Sequence, residues 1–213
     1  MKITLFGATG KTGAYLIKEG LKRGFELTVF CRSNTVFDHP NIKIIRGDIN
    51  DRIALAKAIH GADAVLSALG PTKLNHSGNK PIGTAMHTII SVMKQESVHR
   101  LIAISTGTVA DPNDTFDVKV WFPAKIIQFV MPNAYKDIIE LAKVIRHSDI
   151  QWTMARVAIL KSTTPSQKLN IGYYGHTHHS MTISRSDVAI FMYDQLLNDT
   201  YLKQAPGISQ QSL

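Results

Sequence analysis

Short apolar runs alternate along this chain with segments whose apolar residues recur at helical spacing. Lys2 to Phe6 is a β-type run, and the segment after it carries Ala14, Ile17 and Leu21 on one helical face until Gly24 ends it. Glu26 to Cys31 and Asn41 to Arg46 are again short and β-rich. Asn50 is placed to cap a helix bearing Ile53, Leu55 and Ile59, with a stop at Gly61. Ala62 to Leu69 is nearly continuously apolar, the pattern of a parallel strand covered on both faces. A loop rich in Gly, Asn, Pro and Ser spans Gly70 to Lys80. Pro81 then opens a helix with Met86, Ile89, Ile90 and Met93 at i, i+3, i+4 and i+7, and His99 to Ser105 reads as the next strand.

The second half is less regular. A polar loop with Asp111, Pro112, Asn113 and Asp114 precedes an apolar segment, Val118 to Met131, that Pro123 interrupts; together they predict a loop over the site and a broken helix. Asn133 to His147 places Ile138, Leu141, Ala142 and Ile145 on one helical face, and Gln151 to Val157 is a sixth strand. Ala158 to Ser180 has little periodicity. Met181 to Ile183 is a short strand candidate, and Ser184 with Asp187 forms a capping-box pattern for a helix containing Val188, Phe191, Met192 and Leu196. No repeat or composition break divides residues 1–213, so one domain is expected. The alternation requires right-handed crossovers and predicts an α/β, Rossmann-like, doubly wound parallel sheet of order 3-2-1-4-5-6. Ligands of such a sheet sit at the carboxyl ends of the strands, which selects residues 7–13, 31–33, 47–49, 67–80, 105–117 and 156–180. Substrate-side loops are expected around 70–80, 106–117 and 156–180.

At 213 residues, with 44% hydrophobic and 19% charged residues, the chain falls in the globular class. The lone Cys31 forms no internal disulfide, which fits a reducing cytoplasm. Ile3 to Phe6 is too short for a signal h-region and no apolar run reaches about 18 residues, so neither export nor a membrane partner is expected. Lys and Arg number 24 against 16 Asp and Glu, a net charge of +8. Because the cations are dispersed, a basic rim around an anionic small molecule is expected rather than a nucleic-acid partner.

Candidate chemistry concentrates in Gly7-Ala8-Thr9-Gly10-Lys11-Thr12-Gly13, where a strand runs directly into three glycines and then a helix. This is the pattern of a dinucleotide-binding turn: glycine admits otherwise forbidden backbone angles and close approach, and the helix amino end favours a pyrophosphate. Thr9, Lys11 and Thr12 supply further donors in the turn. The end of the second strand normally holds the ribose 2′-hydroxyl with an acid. Here it reads Cys31-Arg32-Ser33, and the Arg32 guanidinium suits a 2′-phosphate, so NADP(H) is expected over NAD(H). Asp48 and Ile49 after the third strand suit contact with adenine, and Asp48 is equally suited to capping the next helix. Ala68, Leu69 and Gly70 follow the fourth strand and are expected along the cofactor. His176, His178 and His179 have no accompanying Cys or Glu at a ligand spacing, so a polar loop, or one histidine donating to substrate, is expected rather than a metal site. Phe116, Trp121, Phe122, Tyr173 and Tyr174 serve equally as pocket walls or as packing.

The glycine turn, Gly47-Asp48, Ile104-Ser105-Thr106 and Ile183-Ser184-Arg185-Ser186-Asp187-Val188-Ala189 resemble the atypical short-chain dehydrogenase/reductases of the NmrA-like group over nearly the whole chain. Within it, motif order and size are similar to the flavin reductase/biliverdin reductase B type. The resemblance implies a Ser-Tyr-Lys set, with Ser105 at the serine position and Lys136, followed by Glu140, in the lysine region. The tyrosine position four residues before Lys136 is Pro132, and Tyr135, adjacent to Lys136, points elsewhere on a helix. The chain also has Ala155-Arg156-Val157 where the family often has Arg-Pro. The resemblance implies hydride transfer to a flavin or quinone with little acid–base help. The alternative is an NADP(H)-binding redox sensor that reports to a protein partner.

Overall fold

The computed structural model describes residues 1–71, 76–166 and 168–211. The first half runs β1 (Lys2–Phe6), α1 (Gly13–Lys22), β2 (Glu26–Cys31), β3 (Lys43–Arg46), α2 (Arg52–Ile59), β4 (Ala64–Ser67), α3 (Pro81–Gln95) and β5 (Arg100–Thr106). The second half continues with α4 (Val118–Val130), α5 (Pro132–Arg146), β6 (Gln151–Val157), β7 (Ile159–Lys161), β8 (Leu169–Gly172), β9 (Thr182–Ser184), α6 (Arg185–Asp194) and β10 (Gly207–Gln210). The main sheet has eight strands in the order β3-β2-β1-β4-β5-β6-β10-β8. Its first six strands are parallel and follow the order read from the sequence.

Burial on both faces explains why alternation is weak in these strands. In β5, Leu101 and Ala103 join the layer under α2, α3 and α5 with Met86 and Leu141, whereas Ile102 joins the layer under α1 and α6 with Leu16 and Val188. Ser105 shares the parity of Leu101 and Ala103, and so belongs to the α3/α5 side.

Several local expectations are corrected. The buried face of α1 is Gly13, Leu16, Ile17 and Gly20, while Ala14 is exposed, because α1 is wedged between the sheet and α6. Asp51, not Asn50, caps α2, its carboxylate accepting from the N–H of Ile53 at 3.0 Å and of Ala54 at 3.1 Å. The segment Val118–Val130 is one helix despite Pro123. The carbonyl left without an amide partner belongs to Lys119, which is exposed and so solvated. The segment 158–180 holds β7 and β8, and the chain closes with β10, parallel to β6 and antiparallel to β8. The signal for β10 was present in Pro206-Gly207 followed by the alternating Ile208-Ser209-Gln210.

Candidate functional site

The strand order reverses between β1 and β4, and the glycine turn lies at the carboxyl end of β1, beside that reversal. Gly7 has φ +76°, and a Cβ there would stand 2.6 Å from the carbonyl oxygen of Ala68. A Cβ on Gly13 would stand 2.1 Å from the carbonyl oxygen of Ala8, so this glycine lets α1 press onto the turn. The N–H of Gly10 closes the turn onto the Gly7 carbonyl at 3.1 Å. Among the described residues, the N–H groups of Lys11 and Thr12 have no acceptor, and the Thr12 side chain does not cap α1. The turn thus offers free donors at a helix amino end, the arrangement a pyrophosphate needs. Thr9, Gly10 and Lys11 are exposed there, and Thr12 is half-buried.

Arg32 lies at the end of β2, exposed, and its side chain has no hydrogen bond or ion pair among the described residues. Gly47 is tied alongside by its N–H to the Cys31 carbonyl, at 3.0 Å. Asp48 is exposed and accepts from the N–H of Asn50 at 2.8 Å; the cap of α2 belongs to Asp51, so Asp48 shapes the turn without capping the helix. Ile49 is half-buried against the core beneath. Across the reversal, the Ala68 N–H donates to the Phe6 carbonyl at 2.9 Å and the Leu69 N–H to Ser67 Oγ at 3.4 Å, leaving Ala68, Leu69 and Gly70 half-buried beside the turn. Of the expected loop at 70–80, residues 72–75 lie outside the described residues.

The carboxyl end of β5 bears the second part of the site. Ser105 is 1% exposed, and among the described residues its Oγ has no hydrogen-bond partner. A buried hydroxyl without a partner calls for a ligand or solvent atom. Beyond it, the loop from Gly107 to Asp117 is held by Arg156, whose side chain is fully buried. Arg156 Nη1 and Nη2 bind Asp114 Oδ2 and Oδ1 at 2.5 and 2.7 Å, Nε donates to the Ala205 carbonyl at 2.6 Å, and Nη1 donates to the Val109 carbonyl at 2.9 Å. The guanidinium lies 4.6 Å from the centre of the Tyr174 ring, and Tyr174 returns its hydroxyl to the Arg156 carbonyl at 3.2 Å. Burial opposes ionisation of Asp114, but Arg156 and the N–H groups of Asp111 and Tyr174 outweigh it and hold the carboxyl below the usual aspartate range. Burial pushes the Tyr174 hydroxyl up to about 12, so it stays protonated near neutrality. Sequence reading missed Asp114 as the partner of Arg156; the only hint was an arginine at a strand end among apolar residues.

This anchored loop, α4 and α5 enclose a cleft of about 260 Å³ lined by Phe116, Trp121, Lys125, Tyr135 and Tyr174 among others. It is somewhat smaller than the roughly 300–1,000 Å³ of ordinary small-molecule sites. Tyr135 faces this cleft, whereas Lys136, one residue on, is exposed on α5 and has no hydrogen bond among the described residues. Trp121 and Phe116 border the cleft while remaining exposed, Phe122 is exposed without lining it, and Tyr173 is bonded to Gln204 at 3.0 Å. His179 is buried between Thr177 and Ser209, at 2.9 and 3.2 Å, and burial lowers its pKa. His176 binds the Asn113 carbonyl at 3.0 Å, and among the described residues no three His, Cys, Asp or Glu side chains could hold a metal ion together. A larger cleft, about 600 Å³, lies between α3 and α5, away from the glycine turn.

A glycine turn with free amides at the reversal of a doubly wound parallel sheet defines a dinucleotide-binding α/β protein. Residues 7–199 match the model of the NAD(P)H-binding family, and the chain belongs to that family. It is 25% identical to YwnB of Bacillus subtilis over 201 residues, 92% of each chain. It is 26% identical to phenylcoumaran benzylic ether reductase 1 of Arabidopsis thaliana over 122 residues, 52% of this chain and 37% of that one. The fold is shared with a short-chain dehydrogenase/reductase from Veillonella parvula in complex with NADP, at a TM-score of 0.78 and 18% identity over 99% of this chain and 95% of that one. It is shared equally with ChuY, an anaerobilin reductase from Escherichia coli O157:H7, at a TM-score of 0.78 and 17% identity over 100% and 98%.

Proposed function

We propose that this protein is an NADPH-dependent oxidoreductase that passes a hydride to a planar conjugated acceptor, a flavin or a quinone. The observation that carries the reading is the Ser105 hydroxyl, unpartnered among the described residues, in a sheet whose carboxyl end also bears the open glycine turn. The fit to the cofactor rests on the free amides of Lys11 and Thr12, on Arg32 without an ion-pair partner, and on the absence of an acid from Cys31-Arg32-Ser33. When bound, the reduced nicotinamide supplies the hydride. The turn amides hold the pyrophosphate, with Thr9, Thr12 and Lys11 adding donors, and Arg32 pairs with a 2′-phosphate. Ile49 and Asp48 border the adenine, and Ala68, Leu69 and Gly70 line the path toward the nicotinamide.

Ser105 holds a proton at Oγ that no group among the described residues accepts, ready for a ligand oxygen. Phe116, Trp121 and Tyr135 offer flat apolar surface on which an acceptor ring can stack. Lys136 remains a candidate only as a nearby cation, because it does not line the cleft. Support for reductase chemistry comes from the reductases among the similar proteins, ChuY and the Arabidopsis ether reductase. The test is NADPH oxidation at steady state with riboflavin, FMN and a short-chain quinone. Turnover with one of them is expected, with Ser105→Ala lowering kcat more than it raises KM; tight NADPH binding without turnover on any acceptor removes the proposal.

The exposed Lys136 and the proline at 132 favour a second reading, a cofactor sensor. Equal affinity for NADP⁺ and NADPH, no hydride transfer and a co-purifying protein partner would establish it.

A further inference from the structure

Helix α4 differs from the other helices of the fold in having no buried residue. Val120, Pro123 and Ala124 are its half-buried side, toward α5 and the cleft. The opposite face presents Val118, Phe122, Ile126 and Phe129 to solvent, and Trp121 and Phe116, which also border the cleft, are exposed at its margin; Phe129 is 88% and Phe116 75% exposed. Single exposed apolar residues are ordinary on a protein surface, but a continuous aromatic face marks a contact with something apolar.

Charge indicates what that is. The charged groups of α4 are Lys119 and Lys125, with no acid from Val118 to Val130. Lys125 shares the helical face of Trp121 and Phe129, so its stem lies along apolar surface while its ammonium reaches outward. The acids nearby are engaged: Asp117 caps α4 through the Lys119 N–H at 2.9 Å, Glu140 binds Lys80 at 2.8 Å, and Asp137 is buried. Neighbouring α5 adds exposed Lys136. A two-fold contact between copies through this face would set lysines against lysines without an acid to pair them. A bilayer with anionic headgroups satisfies both features, taking aromatic side chains at its boundary and lysines at its charged surface. Among the described residues no helix is long and apolar enough to cross a membrane, so the contact lies in the plane of the surface.

We propose that α4, with Phe116, is a membrane-surface helix that docks this protein on anionic bilayers. The sequence expectation of no membrane partner rested on the lack of a spanning run and did not weigh an in-plane helix. Docking needs neither cofactor nor acceptor, so its test is separate from that of hydride transfer. The full chain is floated with vesicles of phosphatidylcholine alone and of phosphatidylcholine mixed with phosphatidylglycerol, while tryptophan emission is recorded. Binding to the mixed vesicles is expected, with a blue shift from exposed Trp121, since Trp152 is already buried. Phe122→Ser/Phe129→Ser should weaken binding roughly a hundredfold. Lys119→Glu/Lys125→Glu should abolish the preference for the anionic mixture. These positions are exposed, so unchanged thermal unfolding is the control for an intact fold. Failure of the wild type to float with either vesicle overturns the proposal. So does a dimer in sedimentation equilibrium that the Phe122→Ser/Phe129→Ser change disperses while vesicle binding is absent, which would make the face an interface between copies.

Discussion

At the scale of single residues, Arg156 decides where the loop over the aromatic cleft rests. Its guanidinium joins β6, the loop carrying Asp114 and the chain after Lys203, and every nitrogen is used. Such a group is costly to bury and more costly to unpair. Arg156→Leu, which strands the Asp114 carboxylate, is expected to lower unfolding free energy by about 3–5 kcal/mol. Arg156→Leu/Asp114→Leu should lose less than the two single changes added together, and urea denaturation of the four proteins measures the difference. Arg32 is the opposite case, an arginine with its donors free. Arg32→Asp should weaken NADPH binding by roughly a hundredfold and reverse the preference over NADH. An unchanged ratio of dissociation constants would place the 2′-phosphate elsewhere. Arg32 could be singled out in sequence because the role proposed for it depends on the end of one strand. The Arg156–Asp114 pair was not, because its members are 42 positions apart and meet only when β6 lies beside β5.

Among the elements, α3 shows how the fold completes a helix that its own sequence starts incompletely. Pro81 at its first position was visible, but Lys80 before it has φ +47° and gives no side-chain cap. The cap comes from α5: fully buried Asp137 accepts from the N–H of Gly83 at 2.7 Å and of Ile82 at 3.0 Å, and binds His76 Nε2 at 2.6 Å. Replacing it by Asn removes the charge that the helix end and His76 share. Asp137→Asn should cost about 2–3 kcal/mol in thermal or urea unfolding, well above an ordinary surface substitution. Helices α1, α5 and α6 were legible because one apolar face meets the core, and the capping pattern of Ser184 and Asp187 is realised, with the Asp187 N–H donating to Ser184 Oγ at 2.9 Å. Helix α4 was misread as broken, since a proline rule written for buried helices overstates the cost where the freed carbonyl meets water.

For the molecule as a whole, acid should loosen the loop over the cleft before neutral pH has any effect on it. The pKa of Asp114 is depressed in the fold, so its pairing contributes stability that is fully present above the unfolded value of about 3.9 and is lost as pH falls through the lower folded value. The stability gap between wild type and Asp114→Asn, measured by urea midpoints, should therefore narrow as pH falls from about 5 toward 2. A gap independent of pH would mean the carboxylate charge contributes nothing. By itself the sequence determined the order of elements, the parallel sheet, the glycine turn and the basic end of β2, because each follows from neighbours within one strand, turn or helix face. Tertiary structure alone decided which distant partners satisfy Arg156 and the start of α3, that β10 and β8 extend the sheet, that Tyr135 rather than Lys136 faces the cleft, and that α4 stays uncovered. Those depend on packing between elements far apart in the chain, where a shift of one position on α5 exchanges a cleft wall for an exposed cation.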